Sequence, residues 1–271
     1  MRYILLTMLS CCIGIIYAQH TNLHKWQKGI ITDQFVYDVA PFPSCHSATI
    51  EDTPYGLIYA FFGGKHERNP DVEIYVSRLE NGSWSQPESV ADGVQKDGSR
   101  LPTWNPVLYQ IPNGDLLLFY KVGPKPSEWW GMLKRSKDGG RTWSEATQLP
   151  SGILGPIKNK PILLSNGNLI SPSSTEGNGW NIHFEISTDN GLTWRKTASV
   201  DRGDNINAIQ PTILNHGKGK LQLLARTRNW AVAESWSYDF GETWSPLRKT
   251  SLPNNNSGFD AVTLNDGTHV L

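Results

Sequence analysis

No net charge marks this 271-residue chain: twenty-five Lys and Arg offset twenty-five Asp and Glu. A balanced surface has no global field to concentrate nucleic acid or an anionic membrane, so neither is expected as a partner. Any charged ligand must then be held by a local cluster. Cysteine is scarce. Of the three, Cys11 and Cys12 fall in the first eighteen residues, leaving Cys45 alone and excluding an internal disulfide from the remainder. Long amphipathic helical patterns are missing, as are a Gly-rich phosphate loop, a zinc-type His/Cys cluster and a Ser/His/Asp ordering. Neither a metal nor a cofactor is expected.

What the chain does have is turn formers and tryptophan. Twenty-five glycines, seventeen prolines and eleven tryptophans point to many short strands joined by turns. The N-terminus is a separate matter. Arg2 precedes an apolar run from Tyr3 to Ala18, with a small residue at the cut before Gln19. The run is short for a membrane span and fits a cleaved export signal, which predicts a secreted or periplasmic protein. Ser10-Cys11 mimics a lipoprotein signal, but apolar residues continue past the cysteines and weigh against a lipid anchor. The organisation expected is a signal peptide over 1–18 and one large domain over 19–271.

A motif recurs through that domain. Ser136-Lys-Asp138-Gly-Gly140-Arg-Thr142-Trp143 is matched from Ser187 through Asp189, Gly191, Thr193 and Trp194, and again from Ser237 through Asp239, Gly241, Thr243 and Trp244. A decayed copy holds Ser77, Gly82, Ser83 and Trp84. The four tryptophans are spaced by 59, 51 and 50 residues, a period that marks a repeat architecture. Between the motifs lie paired apolar runs divided by a glycine turn, such as "NPVLYQIPNGDLLLFYK" from Asn105 and "QPTILNHGKGKLQLLAR" from Gln210. These read as β-hairpins, and adding a strand on either side of the motif makes four strands per unit of about fifty residues, the β-propeller blade. In this setting Asp138, Asp189 and Asp239 are structural: each carboxylate accepts hydrogen bonds within its own turn, the glycine permits a left-handed backbone, and the tryptophan packs.

Ser-x-Asp-x-Gly-x-Thr-Trp at blade spacing is the Asp-box, and the chain resembles the sialidase (neuraminidase) superfamily over roughly residues 40 to 271. The segments "FFGGKHE", "TWNPVL", "FYKVGP", "GPIKNKP" and "NNNSGFDAV" look like a bacterial branch labelled predicted neuraminidases. The resemblance implies an all-β, six-bladed propeller. Four blades are complete here, and a fifth stops inside its second strand at Leu271. An open ring exposes unpaired sheet edges, so the sequence is expected to be a fragment of a longer chain. The resemblance also implies an exo-acting glycosidase that removes a terminal acidic sugar from a glycan. Arg226 in "LLARTR" looks like the second of three carboxylate-clamping arginines, and Glu67 and Asp71 occupy the loop of the acid/base. Other positions depart from the pattern. No Arg-Ile-Pro signature is present, His46 stands where the first arginine should be, and Ala208 falls where the nucleophile's Glu partner belongs. The third arginine and the nucleophilic tyrosine are expected in or near the missing part.

Repeat alignment supplies its own candidates. In a propeller the first strand of each blade lines the axis, and ligand sits where first strands begin and second strands end. The residues opening the first strands are His46, Asn105, Lys160, Gln210 and Asp260. The apolar frame repeats while this position varies among polar types, as for a site built from one group per blade or for a wet channel lining. Ends of second strands add Lys121, Glu176, Arg226 and Arg228. His46 fits either a structural hydrogen-bonding role or the general acid/base of a uronate-directed lyase or non-sialic glycosidase, because imidazole titrates near neutrality. Trp129, Trp180 and Trp230 each stand seven residues before a box serine, about 23 Å along an extended strand. They are sugar platforms or packing between blades. A glycan-binding propeller without catalysis would use these tryptophans and the polar ring alone.

Overall fold

Strand follows strand with a reversal at nearly every turn, and the computed structural model, which describes residues 29–271, holds no helix among them. The export signal expected over 1–18 lies outside the described residues. Val36–Leu271 forms one compact unit. Its first blade contains β1 (Ser44–Thr53), β2 (Gly56–Gly64), β3 (Glu73–Glu80), β4 (Ser83–Trp84) and β5 (Glu88–Ala91). The second contains β6 (Thr103–Gln110), β7 (Leu116–Val122), β8 (Trp130–Ser136) and β9 (Thr147–Gln148). In the third are β10 (Ile162–Leu163), β11 (Leu169–Thr175), β12 (Asn181–Ser187) and β13 (Arg195–Lys196). The fourth comprises β14 (Ala208–Asn215), β15 (Leu221–Thr227), β16 (Ala231–Ser237) and β17 (Arg248–Pro253), and β18 (Val262–Thr263) with β19 (His269–Val270) opens a fifth. Blades two to four each order their strands consecutively, as a meander; in the first, β4 and β5 both pair with β3. The architecture is the all-β propeller expected, present as four blades and the start of another.

Strand parity decides where the core sits. A strand inside a blade is covered on both faces, so β7 reads "LLLFYKV" and is buried throughout. Leu116, Leu118, Tyr120 and Val122 face blade one, where they join Ile58, Ala60, Phe62, Ile74 and Val76. The alternate Leu117 and Phe119 face blade three and meet Trp194. Ile170, Ile182, Phe184 and Ile186 of blade three join Leu221, Leu223 and Ala225 of blade four in the same way. Each such side chain contributes roughly 1.5–3 kcal/mol on burial, so the blades are glued face to face rather than around a separate centre.

The Asp-box supplies a second joint. Asp138 Oδ1 accepts from the Ser136 hydroxyl and from the main-chain N–H groups of Arg141 and Thr142, while Oδ2 accepts from the Thr142 hydroxyl at 2.6 Å. Asp189 and Asp239 repeat the set with Thr193 and Thr243. Partial desolvation pushes the Asp138 carboxyl up, but its hydrogen bonds outweigh this and bring it down to about 2; at Asp189 the Thr193 bonds lead and give the same value. The compact turn then presses on the blade before it. Trp194 meets Phe119 edge-on at 5.9 Å, and Trp244 stacks on Phe184 at 4.3 Å.

Candidate functional site

The box turns follow β8, β12 and β16, so the opposite end of the propeller gathers the starts of the axial strands and the turns after β7, β11 and β15. At that end three axial strands carry the same irregularity. Pairing skips between His46 and Thr49 in β1, between Trp104 and Val107 in β6, and between Ile209 and Thr212 in β14. Inside each bulge one non-glycine residue is left-handed: Ser47 at φ 60°, Asn105 at 36° and Gln210 at 54°. Bulges re-aim side chains, and strained backbone of this kind gathers at working sites. The register also corrects the polar column by one residue in the first blade. Ser47, not His46, shares the bulge position with Asn105 and Gln210; His46 aligns with Trp104 and Ile209.

Around Gln210 several groups converge. Arg226 Nη1 donates to Gln210 Oε1 at 3.1 Å, and its Nε and Nη2 both donate to Asn256 Oδ1, at 3.2 and 3.0 Å. Lys158 Nζ donates to Asn159 Oδ1 at 3.0 Å and to the Phe259 carbonyl at 3.1 Å. Burial lowers the pKa of both cations. Glu176 opposes the shift at Arg226 while Arg228 adds to it; Asp260 opposes it at Lys158 while Arg226 adds to it. Asp260 itself accepts from the Thr212 hydroxyl and the Ala261 N–H. Gly258 closes the arrangement: a β-carbon there would lie 3.0 Å from Lys158 Cε and 3.3 Å from Gln210 Oε1. The result is a pair of half-buried cations whose neighbours are mostly neutral amides and carbonyls. Such a site suits an anion, since partial burial leaves each charge poorly screened.

Other candidates lie elsewhere or are already engaged. Lys160 Nζ stands 2.7 Å from Glu51 Oε2 of β1 and is neutralised there, in a cavity of about 810 Å³ that both residues line with Tyr109, Lys158 and Asp260. Burial pushes the Glu51 carboxyl up against the lowering influence of Lys160. Asn105 is buried in its bulge beside Trp104, whose indole donates to the Gly123 carbonyl. Lys121 stands near the turn after β7 but is closed in between blades two and three. It continues the Leu117–Phe119 face toward blade three, is 0% exposed and donates to the Pro156 carbonyl. Burial brings its ammonium down to about 7. In blade one, Asp71 caps its own loop by accepting from the Lys65 N–H at 3.2 Å, while Glu67 and His46 are exposed.

The three tryptophans have three fates. Trp180 is buried beneath Arg226 and Arg228, whose guanidinium carbons lie 5.4 and 4.1 Å from its ring, so its face is covered by cations rather than open to a sugar. Trp129 packs edge-on against Trp104 at 5.8 Å. Trp230 is 79% exposed, left-handed at φ 62°, and borders a small pocket with Arg228, Asn254, Asn255 and Asn256. Sequence reasoning missed Lys158 and Asn256, although both stand in motifs it had singled out, "GPIKNKP" and "NNNSGFDAV".

The profile of the BNR repeat-like domain matches residues 56–271, most of the chain. The chain belongs to the BNR repeat-like family. No curated protein sequence matches it. Among solved structures, the BNR repeat-like fold is shared with a protein of unknown function from Dyadobacter fermentans at TM-score 0.67 and 18% identity, covering 83% of this chain and 73% of that one. A mutant of the NanB sialidase from Streptococcus pneumoniae matches at TM-score 0.69 and 13% identity, with 90% and 59% covered. The Trypanosoma rangeli sialidase solved with sialic acid matches at 0.60 and 19%, with 85% and 43% covered. The BNR repeat-like chain thus spans less than two thirds of either sialidase, and at these identities the likeness is one of fold.

Proposed function

We propose that this chain is part of an exported, secreted or periplasmic, glycan-active protein, an exo-acting glycosidase that removes a terminal acidic sugar. The observation that carries the reading is the convergence of Arg226, Lys158, Gln210 and Asn256 at the axial end of the blades. A sugar carboxylate matches the planar fork of Arg226, and Lys158 adds a second charge. Arg228, stacked on Trp180, extends the positive field to the rim. Glu67 or Asp71, on the exposed loop between β2 and β3, would protonate the leaving oxygen, and Trp230 offers an open aromatic face to the rest of the glycan. Sialidases of this fold, one of them solved with sialic acid, lend support.

A second reading rests on Ala208, which is fully buried at the start of β14 and carries no ionisable group where a sialidase would need its glutamate. A uronate-directed lyase or non-sialic glycosidase would instead use exposed His46 as acid/base, with Arg226 and Lys158 neutralising the carboxylate and acidifying the adjacent C–H. Incubating the full-length native protein with a sialoglycan and with a polyuronate decides between them. Free sialic acid supports the first reading and a product absorbing in the near ultraviolet supports the lyase. Sugar binding without either product leaves a glycan-binding propeller. Arg226→Ala abolishes turnover in both enzymatic readings; full activity in that variant would reject this location.

A further inference from the structure

Blades two and three meet through an interface of two halves. At the box end it is apolar, with Leu117, Phe119 and Trp194. At the other end it is polar and charged: Lys121, Ser171, Ser173, His183 and Glu185 are all at most 1% exposed. Buried ions are costly against apolar residues of the same volume, and the hydroxyls of Ser171 and Ser173 find no partner among the described residues. Packing alone does not explain this composition.

Hydrogen bonds account for its three ionisable members. Glu185 Oε1 accepts from the Leu154 N–H and Oε2 from the Gly155 N–H, both at 2.7 Å. His183 Nε2 lies 3.2 Å from Glu185 Oε1, and Lys121 donates to the carbonyl of Pro156, the next residue of the same segment. Three consecutive residues are therefore gripped by two buried ionisable side chains. Ile157 then donates to the Pro172 carbonyl, and the chain delivers Lys158, Asn159 and Lys160 in sequence. Lys158 reaches Phe259, Asn159 Nδ2 donates to the Gln210 and Pro211 carbonyls, and Lys160 reaches Glu51. One segment, 154–160, thus joins the first, fourth and fifth blades.

We propose that Lys121 and Glu185, steadied by His183, are positioning residues that set the conformation of segment 154–160 and so place Lys158 beside Arg226. They touch no ligand themselves. For its ligand consequence the inference rests on the anion-site reading above, but its structural half does not. Two variants of the full-length protein test it: Lys121→Met, which leaves the Pro156 carbonyl without its donor, and the near-isosteric Glu185→Gln, which serves if the first fails to fold. Amide hydrogen exchange at Leu154, Gly155 and Ile157 should accelerate at least tenfold, while amides of β7 and β15 hold their rates. Where the wild type binds N-acetylneuraminate, its Kd should rise about tenfold in either variant and no further when Lys158→Ala is added. Unchanged exchange over 154–157, or equal acceleration across all blades, overturns the proposal. If the wild type does not bind the probe, the anion reading fails alone and the exchange result still decides.

Discussion

Gly140 of the second blade is pressed against Ile58 of the first, so closely that a β-carbon would stand 2.3 Å from the Ile58 δ-methyl. The contact repeats. Gly241 meets Ile170 at the same 2.3 Å, whereas Gly191 leaves Leu117 at 3.3 Å, and all three glycines are left-handed. Gly140→Ala and Gly241→Ala should each cost about 2–4 kcal/mol, from overpacking and from the left-handed backbone together. Gly191→Ala should cost roughly half as much, mainly the backbone term. Urea unfolding checks the ranking through the midpoints. Equal losses at all three would mean that backbone strain, not the joint between blades, governs.

Acid should loosen the box turns. Asp138 and Asp189 are lowered to about 2 in the folded chain, below the ordinary carboxylate value of about 4. A depressed acid contributes stability that is complete above the unfolded value and is lost as pH falls through the folded one. Thermal midpoints should therefore drop between about pH 4 and pH 2, and Asp138→Asn should flatten part of that drop while lowering the plateau at neutral pH. A variant with an unaltered acid limb would refute the assignment.

Lys121 acts in the opposite pH range. Its folded value is about 7 against an ordinary value near 10.4, so between those limits the unfolded chain binds the extra proton. Stability then rises with pH across that window, because the cost of burying the ammonium is fully present below pH 7 and is relieved above it. Glu185 and His183 face Lys121 from blade three, and Glu185 favours the charged form. Chemical unfolding at pH 7 and pH 9.5 should show the rise in the wild type and its loss in Lys121→Met. A wild type equally stable at both would sink the prediction.

Trp230 should be dispensable for folding and needed at the rim. Its ring is largely exposed and its backbone left-handed, a conformation that costs about 1–2 kcal/mol for a residue with a side chain. Trp230→Gly should thus be neutral or slightly stabilising, while glycan binding weakens at least several-fold in titration calorimetry. Loss of stability without loss of binding would assign it to packing.

How much of this was written in the sequence depends on the kind of information required. The blades were legible because Asp138, Asp189 and Asp239 stand at a fixed period and each box closes on itself with local hydrogen bonds. Gln210 and Arg226 were legible because hairpin pairing sets which ends meet, and the two do meet. Lys121 shows the limit. Its position near the end of β7 is readable, but its face is decided by parity against a neighbouring blade that the repeat pattern does not describe. Trp180 and Trp230 hold the same place in the repeat and differ entirely in exposure, since Arg226 and Arg228 of the following blade cover the first. His46 missed the bulge column by one residue because a skipped pair leaves no mark in an apolar pattern.

The box joints also run in one direction along the chain. Ile58, Leu117 and Ile170 are covered by Gly140, Gly191 and Gly241, about seventy to eighty residues later in each case. On a ribosome adding about 5–20 residues per second, each finished sheet waits several seconds with an apolar flank bare before its successor emerges to seal it. The joints are therefore sealed blade by blade in chain order, and a change of pace between Ile58 and Gly140 is the first that would bear on them.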